Sequence, residues 1–92
     1  MALLTEKEIA GLLRSTKGWK RREGEIQKTF VHKDFARAMG FVQSVALRAE
    51  KMNHHPDIDI RWNKVTLTLS THSAGGLTEK DFDLAELINE LK

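Results

Sequence analysis

Three of the four histidines in this chain stand where the pattern of the sequence changes. His54 and His55 are adjacent and run straight into Pro56, and His72 follows a stretch of alternating apolar and polar residues. Asp81 comes nine positions after His72. Imidazole has an ordinary pKa of about 6.5, so its acid and base forms coexist near neutrality. A carboxylate beside such a ring orients it and favours its charged form. If the loop after His72 folds back, these groups converge on one cleft and suit general acid–base work. Three histidines and an acid are also zinc ligands. The chain lacks HExxH, however, and neighbouring side chains diverge by about 100° in a helix or 180° in a strand, an awkward geometry for one small ion.

Structural readings compete at each position. A histidine pair at a helix end can be solvated and favoured there by the helix dipole. Asp81 is three residues after Thr78, the spacing of a capping box. His72 alone reads as a hydrogen-bonded loop residue, and His32, beside Lys33, as a surface residue. Trp19 and Trp62 read as packing anchors rather than ligand platforms, although Trp62, beside a polar turn, fits either reading.

The elements that must position these groups follow from periodicity. Thr5 and Glu8 form a capping box ahead of a helix with Ile9, Leu12 and Leu13 on one stripe. Trp19–Arg22 and Glu25–His32 read as strands around a Glu23–Gly24 turn, with Gly24 supplying a positive φ. Lys28 interrupts the Ile26/Phe30 face, which predicts an edge or half-exposed strand. Asp34 caps the next helix. There Phe35, Ala38, Met39, Val42, Val45, Ala46 and Ala49 recur at helical spacing, widened by Phe41 and Met52, so this helix is the expected centre of the core. Gly40 inside it suggests a close backbone approach. Pro56 forces the helix to end near His54–His55, because the residue before proline is pushed from helical angles.

Ile58, Ile60 and Trp62 then alternate with charged residues, and Val65, Leu67, Leu69 and Thr71 alternate with polar ones. This is a hairpin with one buried face. Ser73–Gly76 reads as a flexible loop, and Leu84, Leu87, Ile88 and Leu91 carry a last helix. The order α-β-β-α-β-β-α, with short turns between strands, predicts an α+β fold: a four-stranded antiparallel sheet with three helices on one face.

The 92 residues fit one domain spanning 1–92. Hydrophobic residues make up 40% and charged residues 30%, the balance of an ordinary globular protein. A chain this short gains from burying a face against another subunit, so an oligomer is expected. The absence of cysteine excludes disulfides, thiolate metal sites and a cysteine nucleophile. No signal peptide or membrane-spanning stretch is read, which makes the cytoplasm the expected compartment. Net charge is +2, and the densest basic run, Lys20–Arg22, is followed by Glu23 and Glu25. That reads as a solvated strand and turn, with neither direct nucleic-acid binding nor membrane binding.

The residues Glu50-Lys51-Met52-Asn53-His54-His55-Pro56 resemble the helix-end signature of the pterin-4a-carbinolamine dehydratases, also known as dimerisation cofactors of a homeodomain transcription factor. Trp62-Asn63-Lys64-Val65, Leu67, Leu69, Thr71-His72 and Gly76-Leu77-Thr78 with Asp81 continue the pattern at similar spacing. Trp19 and the Phe30–Phe35 segment also fit, so the resemblance spans roughly residues 5–90. Ile58 stands where many members carry Trp, Trp62 where many carry Tyr, and Asn53 where Asp is frequent. These departures touch the pocket wall and leave the three histidines intact.

The resemblance implies dehydration of 4a-hydroxytetrahydropterin to quinonoid dihydropterin, with no metal or redox cofactor. It implies His54 and His72 as the main proton-transfer groups, with His55 as a binding group that assists them. Glu50, Asn53, Pro56, Ser70, Thr71 and Asp81 are the implied substrate-binding or orienting residues. It further implies a homodimer or homotetramer, an aromatic amino acid hydroxylase as functional neighbour, and, as the alternative function, a protein-binding module acting through the oligomer surface.

Overall fold

Thr5 opens the first helix: its hydroxyl accepts the Glu8 amide at 3.2 Å, and the Glu8 carboxylate accepts the Thr5 amide at 2.8 Å. This reciprocal bonding satisfies two amides that lack helical partners. In the computed structural model, which describes residues 2–91, that helix is α1 (Glu6–Ser15). Strands β1 (Lys20–Arg22) and β2 (Glu25–Val31) follow, then helix α2 (Phe35–Met52). The hairpin β3 (Asp57–Arg61) and β4 (Lys64–Leu69) leads through a 3₁₀ turn, His72–Ala74, to helix α3 (Glu79–Asn89). All strand pairs are antiparallel, in the order β1-β2-β4-β3. The α-β-β-α-β-β-α order predicted from the sequence is the one observed.

Alternation sorts the sheet into two faces. Ile26 on β2 and Val65, Leu67 and Leu69 on β4 are fully buried against the helices. Ile9 of α1, Ala38, Phe41, Val45 and Ala49 of α2, and Phe82, Leu84, Ala85 and Ile88 of α3 complete the core. The opposite face is polar, where Gln27 donates to Thr68 at 3.0 Å and the Thr29 and Thr66 hydroxyls meet at 2.9 Å.

Several local expectations are corrected. The strand β2 is half-exposed, one of the two alternatives expected, but it is not at an edge; it lies between β1 and β4. Lys28 is accommodated there because Gly18, at φ 83°, leaves room: a Cβ at Gly18 would stand 2.7 Å from the Lys28 Cε. The lysine bridges the core rim, donating to the Lys17 carbonyl at 3.0 Å and to Asn89 Oδ1 at 2.8 Å, with its ammonium 4.7 Å from the centre of the Phe30 ring. Partial burial pulls its pKa below the ordinary lysine value. Trp19 is a packing anchor, 4% exposed, and its indole N–H donates to the same Asn89 oxygen at 3.0 Å.

Trp62 is not an anchor. It leaves the strand at φ 53° to make the β3–β4 turn and is 69% exposed. In the β1–β2 turn the positive φ belongs to Glu23, at 56°, and not to Gly24. On α2 the apolar arc is wider than the core can cover: Phe35, Met39 and Ala46 lie on its exposed shoulder, while Ala38, Phe41, Val45 and Ala49 face inward. Nothing stands within 4 Å of a Cβ built at Gly40, so no close approach explains that glycine.

Asn89 gathers Trp19, Lys28 and the Lys17 carbonyl at the end of α3. Removing a hydrogen-bonding side chain that leaves part-buried donors unpaired costs about 1–3 kcal/mol. Asn89→Ala is therefore expected to lower the unfolding free energy by that amount, read in urea as a lower midpoint with an unchanged m-value.

Candidate active site

The corner that carries His54 and His55 is built by a helix that has to stop. Asn53 ends α2 in the left-handed conformation at φ 52°, its amide bonded back to Ala49 and Glu50. Asparagine tolerates that conformation better than most residues. Pro56 then starts the chain towards β3. The reversal separates the two rings. His54 turns inward and is 8% exposed. His55 turns outward, with its side chain 58% exposed and its Nε2 2.8 Å from Glu50 Oε1.

Across the corner, β4 ends at Leu69 and the chain tightens. The Thr71 amide donates to the Gly76 carbonyl at 2.9 Å, and the Gly76 amide returns a bond to the Thr71 carbonyl at 3.3 Å. His72 thus opens a bonded 3₁₀ turn, closed by Gly75 at φ 79°, rather than a strand end followed by an open loop. Gly76 is packed on its far side: a Cβ there would meet Leu3 Cδ2 at 3.1 Å.

Asp81, in the first turn of α3, is completely buried between these segments. Its Oδ1 lies 2.6 Å from His54 Nε2. Its Oδ2 accepts the Thr71 hydroxyl at 2.8 Å and the Thr78 amide at 2.9 Å. The last contact belongs to the capping box expected from sequence, so one carboxylate serves the helix end and the histidine together. Both partners of Oδ2 donate, the pattern of an ionised carboxylate, which only accepts, so the ring nitrogen facing Oδ1 is the donor. His54 therefore presents Nε2–H to Asp81, and Nδ1 is left as the nitrogen with a free lone pair.

Asn53, His54, His55, Ser70, Thr71, His72, Ser73 and Lys80 line one open cleft of about 470 Å³. The structure therefore brings all three junction histidines together. Of the other sequence-derived positions, Asn53, Ser70 and Thr71 are on the wall, Asp81 stands behind it, and Glu50 reaches the site through His55. Pro56 does not line the cleft; its contribution is to the backbone course. Lys80 was not singled out from sequence, although its place beside Asp81 at the start of α3 was the available signal. A larger cleft of about 670 Å³ lies over β1 and β2, lined by Lys20, Arg21, Arg22, Gln27 and Lys28 but by no histidine.

His32 is apart from this group and is not the surface residue expected. It is half-buried, its ring centre 4.7 Å from that of Phe41. Its backbone is clamped to Asn63, whose side-chain amide donates to the His32 carbonyl at 2.8 Å. Among the described residues no three His, Asp or Glu side chains gather with the geometry of a metal site. Among them also, no helix is long and apolar enough to cross a membrane.

Comparison with known proteins converges on one family. A family model described as Pterin 4 alpha carbinolamine dehydratase matches residues 2–91. A protein of Roseiflexus castenholzii named "Putative pterin-4-alpha-carbinolamine dehydratase" is 58% identical over 90 residues, 98% of this chain and 97% of its own. One of the same name from Acidobacterium capsulatum is 54% identical over 91 residues, 99% of each chain. The crystal structure of a transcriptional coactivator/pterin dehydratase from Brucella melitensis superposes with a TM-score of 0.91 at 42% identity, covering 95% of both chains.

The site separates histidines by their structural cost. Asp81→Asn puts an N–H among donors and is expected to destabilise the fold by about 1–3 kcal/mol in urea unfolding. His55→Ala removes an exposed ring and is expected to change stability by no more than about 0.5 kcal/mol in the same measurement.

Proposed function

This chain belongs to the pterin-4a-carbinolamine dehydratase family, and from that premise we propose that it dehydrates 4a-hydroxytetrahydropterin to quinonoid dihydropterin by histidine acid–base catalysis. The observation that carries the proposal is the convergence of His54, His55 and His72 on one cleft, with Asp81 behind His54.

The reaction needs two proton movements and no electron transfer. The C4a–O bond breaks with its electrons on oxygen, and a proton delivered to that oxygen releases water. N5 gives its proton to a base while its electron pair closes the C4a=N5 double bond. His54, held through Nε2–H, offers Nδ1 as the base. His72, which lines the same cleft, protonates the leaving hydroxyl as imidazolium. His55, tethered to Glu50, orients the ring system together with Asn53 and Ser70. A pterin-dependent hydroxylation, such as that of an aromatic amino acid, is the class of reaction that supplies this substrate, and the product returns to the tetrahydropterin pool by reduction.

Self-association is a second element of the proposal, as a homodimer or homotetramer. It is supported by apolar side chains left uncovered on α2, with Phe35 51% and Met39 41% exposed. Such side chains on one helix face favour burial against another copy. The alternative of a protein-binding module would use the same surface, and the coactivator description belongs to the Brucella relative.

Stopped-flow dehydration of chemically generated 4a-hydroxytetrahydropterin tests the catalytic assignment. His54→Ala and His72→Ala are each expected to lower turnover by about 10²–10⁴-fold; near-normal turnover in both rejects it. Sedimentation tests the second element. The wild-type chain is expected at a dimer or tetramer mass, and Phe35→Glu with Met39→Glu at a smaller one; a monomeric wild type rejects self-association.

A further inference from the structure

We propose that the Thr78 and Thr71 hydroxyls form a relay that aims hydrogen-bond donors at Asp81 and so holds His54 in its Nε2–H form, making both threonines positioning residues. The kinetic consequence rests on the dehydratase reading, whereas the tautomer does not.

The hydrogen-bond directions follow from counting protons. The Asp81 Oδ2 accepts the Thr71 hydroxyl at 2.8 Å, which spends the only proton on that hydroxyl. The Thr71 and Thr78 oxygens are nevertheless 2.8 Å apart. The proton between them must therefore come from Thr78. The chain of donors runs from Thr78 to Thr71 to Asp81, and the His54 Nε2–H closes it from the other side at 2.6 Å.

Burial makes the order matter. Asp81 is 0%, Thr78 1% and Thr71 6% exposed, so solvent does not readily replace a missing donor. A buried carboxylate is costly unless each oxygen is bonded. With Oδ2 satisfied by Thr71 and by the Thr78 amide, Oδ1 is free to act on His54 alone. Without the Thr71 hydroxyl, Oδ2 keeps only the amide, and the carboxylate and ring are free to rearrange. The His54 ring is then no longer restricted to one tautomer, and Nδ1 is protonated in part of the population. A ring protonated at Nδ1 lacks the lone pair that the base step needs.

The relay also joins segments distant in sequence. Thr71 immediately precedes His72, Thr78 caps α3, and His54 follows the end of α2. Hydrogen bonds of this kind behind a working imidazole fix its tautomer and orientation, and their loss costs on the order of 10–100-fold where such partners have been removed in metal sites.

The test uses the full chain with ¹⁵N-labelled histidine. Long-range ¹H–¹⁵N spectra read the His54 tautomer in the free protein, and stopped-flow dehydration reads kcat and KM. The wild type is expected to show a single Nε2–H form at neutral His54. Thr71→Val is expected to give a mixture of tautomers and to lower kcat on the order of tenfold, with KM changed less than about twofold. Thr71→Ser restores the hydroxyl and is expected to restore both readouts. Thr78→Val removes the outer donor and is expected to shift the tautomer in the same sense. A single Nε2–H form in Thr71→Val overturns the proposal, as does a Thr71→Ser chain that behaves like Thr71→Val. If Thr71→Val does not fold, an unaltered tautomer in Thr78→Val overturns it. A wild type that dehydrates nothing rejects the catalytic reading and leaves the tautomer result standing.

Discussion

A carboxylate with no access to water governs this structure. Asp81 cannot be left uncompensated, and its compensation comes from its own helix start and from two other segments. His54 arrives from the end of α2, Thr71 from the turn after β4, and the Thr78 amide from the start of α3. Each bond satisfies part of a buried acceptor, and together they bring the elements into one relative position. The same contacts that make burial of the charge tolerable also aim an imidazole at the cleft. Stability and chemistry are coupled here, because a carboxylate moved to solvent would release the ring it orients.

The rest of the fold brings these three segments to one place. Val65, Leu67 and Leu69 anchor β4 under the helices and set where Thr71 emerges. Ala38, Phe41, Val45 and Ala49 seat α2 on the same core, so its last turn stops above that emergence. Phe82, Leu84, Ala85 and Ile88 seat α3, which delivers Asp81 between them. At the opposite end Asn89 ties α3 back to Trp19 and Lys28. Helix α3 is thus pinned at both ends by polar contacts and along its length by apolar ones. Its first turn has little freedom to withdraw Asp81 from His54.

Much of this was legible in the chain. Alternation in β4 and helical spacing in α2 and α3 yielded the element order, because buried faces leave a period in the sequence. The Thr5 and Thr78 caps were readable from three-residue spacing. What sequence reading missed shares a cause. Phe35 and Met39 read as core because they continue the apolar arc of α2, and the arc alone does not reveal how much of it a sheet can cover. Lys28 left an edge strand open beside a half-exposed one, because the room that Gly18 makes for it inside the sheet is a contact between distant residues. Trp62 read as a buried strand residue, although the tight β3–β4 turn required it to take a positive φ.

For the site, residue types and spacing by themselves determined that three imidazoles stood at structural junctions, that proline had to end α2 beside two of them, and that Asp81 had the position of a helix cap. These are local facts, since capping and proline geometry are properties of a few neighbouring residues. Tertiary structure alone decided that His54 and His72 share a cleft, that His54 turns inward while His55 turns to solvent, and that the helix cap is also the partner of His54. Those outcomes depend on how α2, β4 and α3 pack. Packing is a sum over contacts between residues far apart in the chain, and no short stretch of sequence contains it.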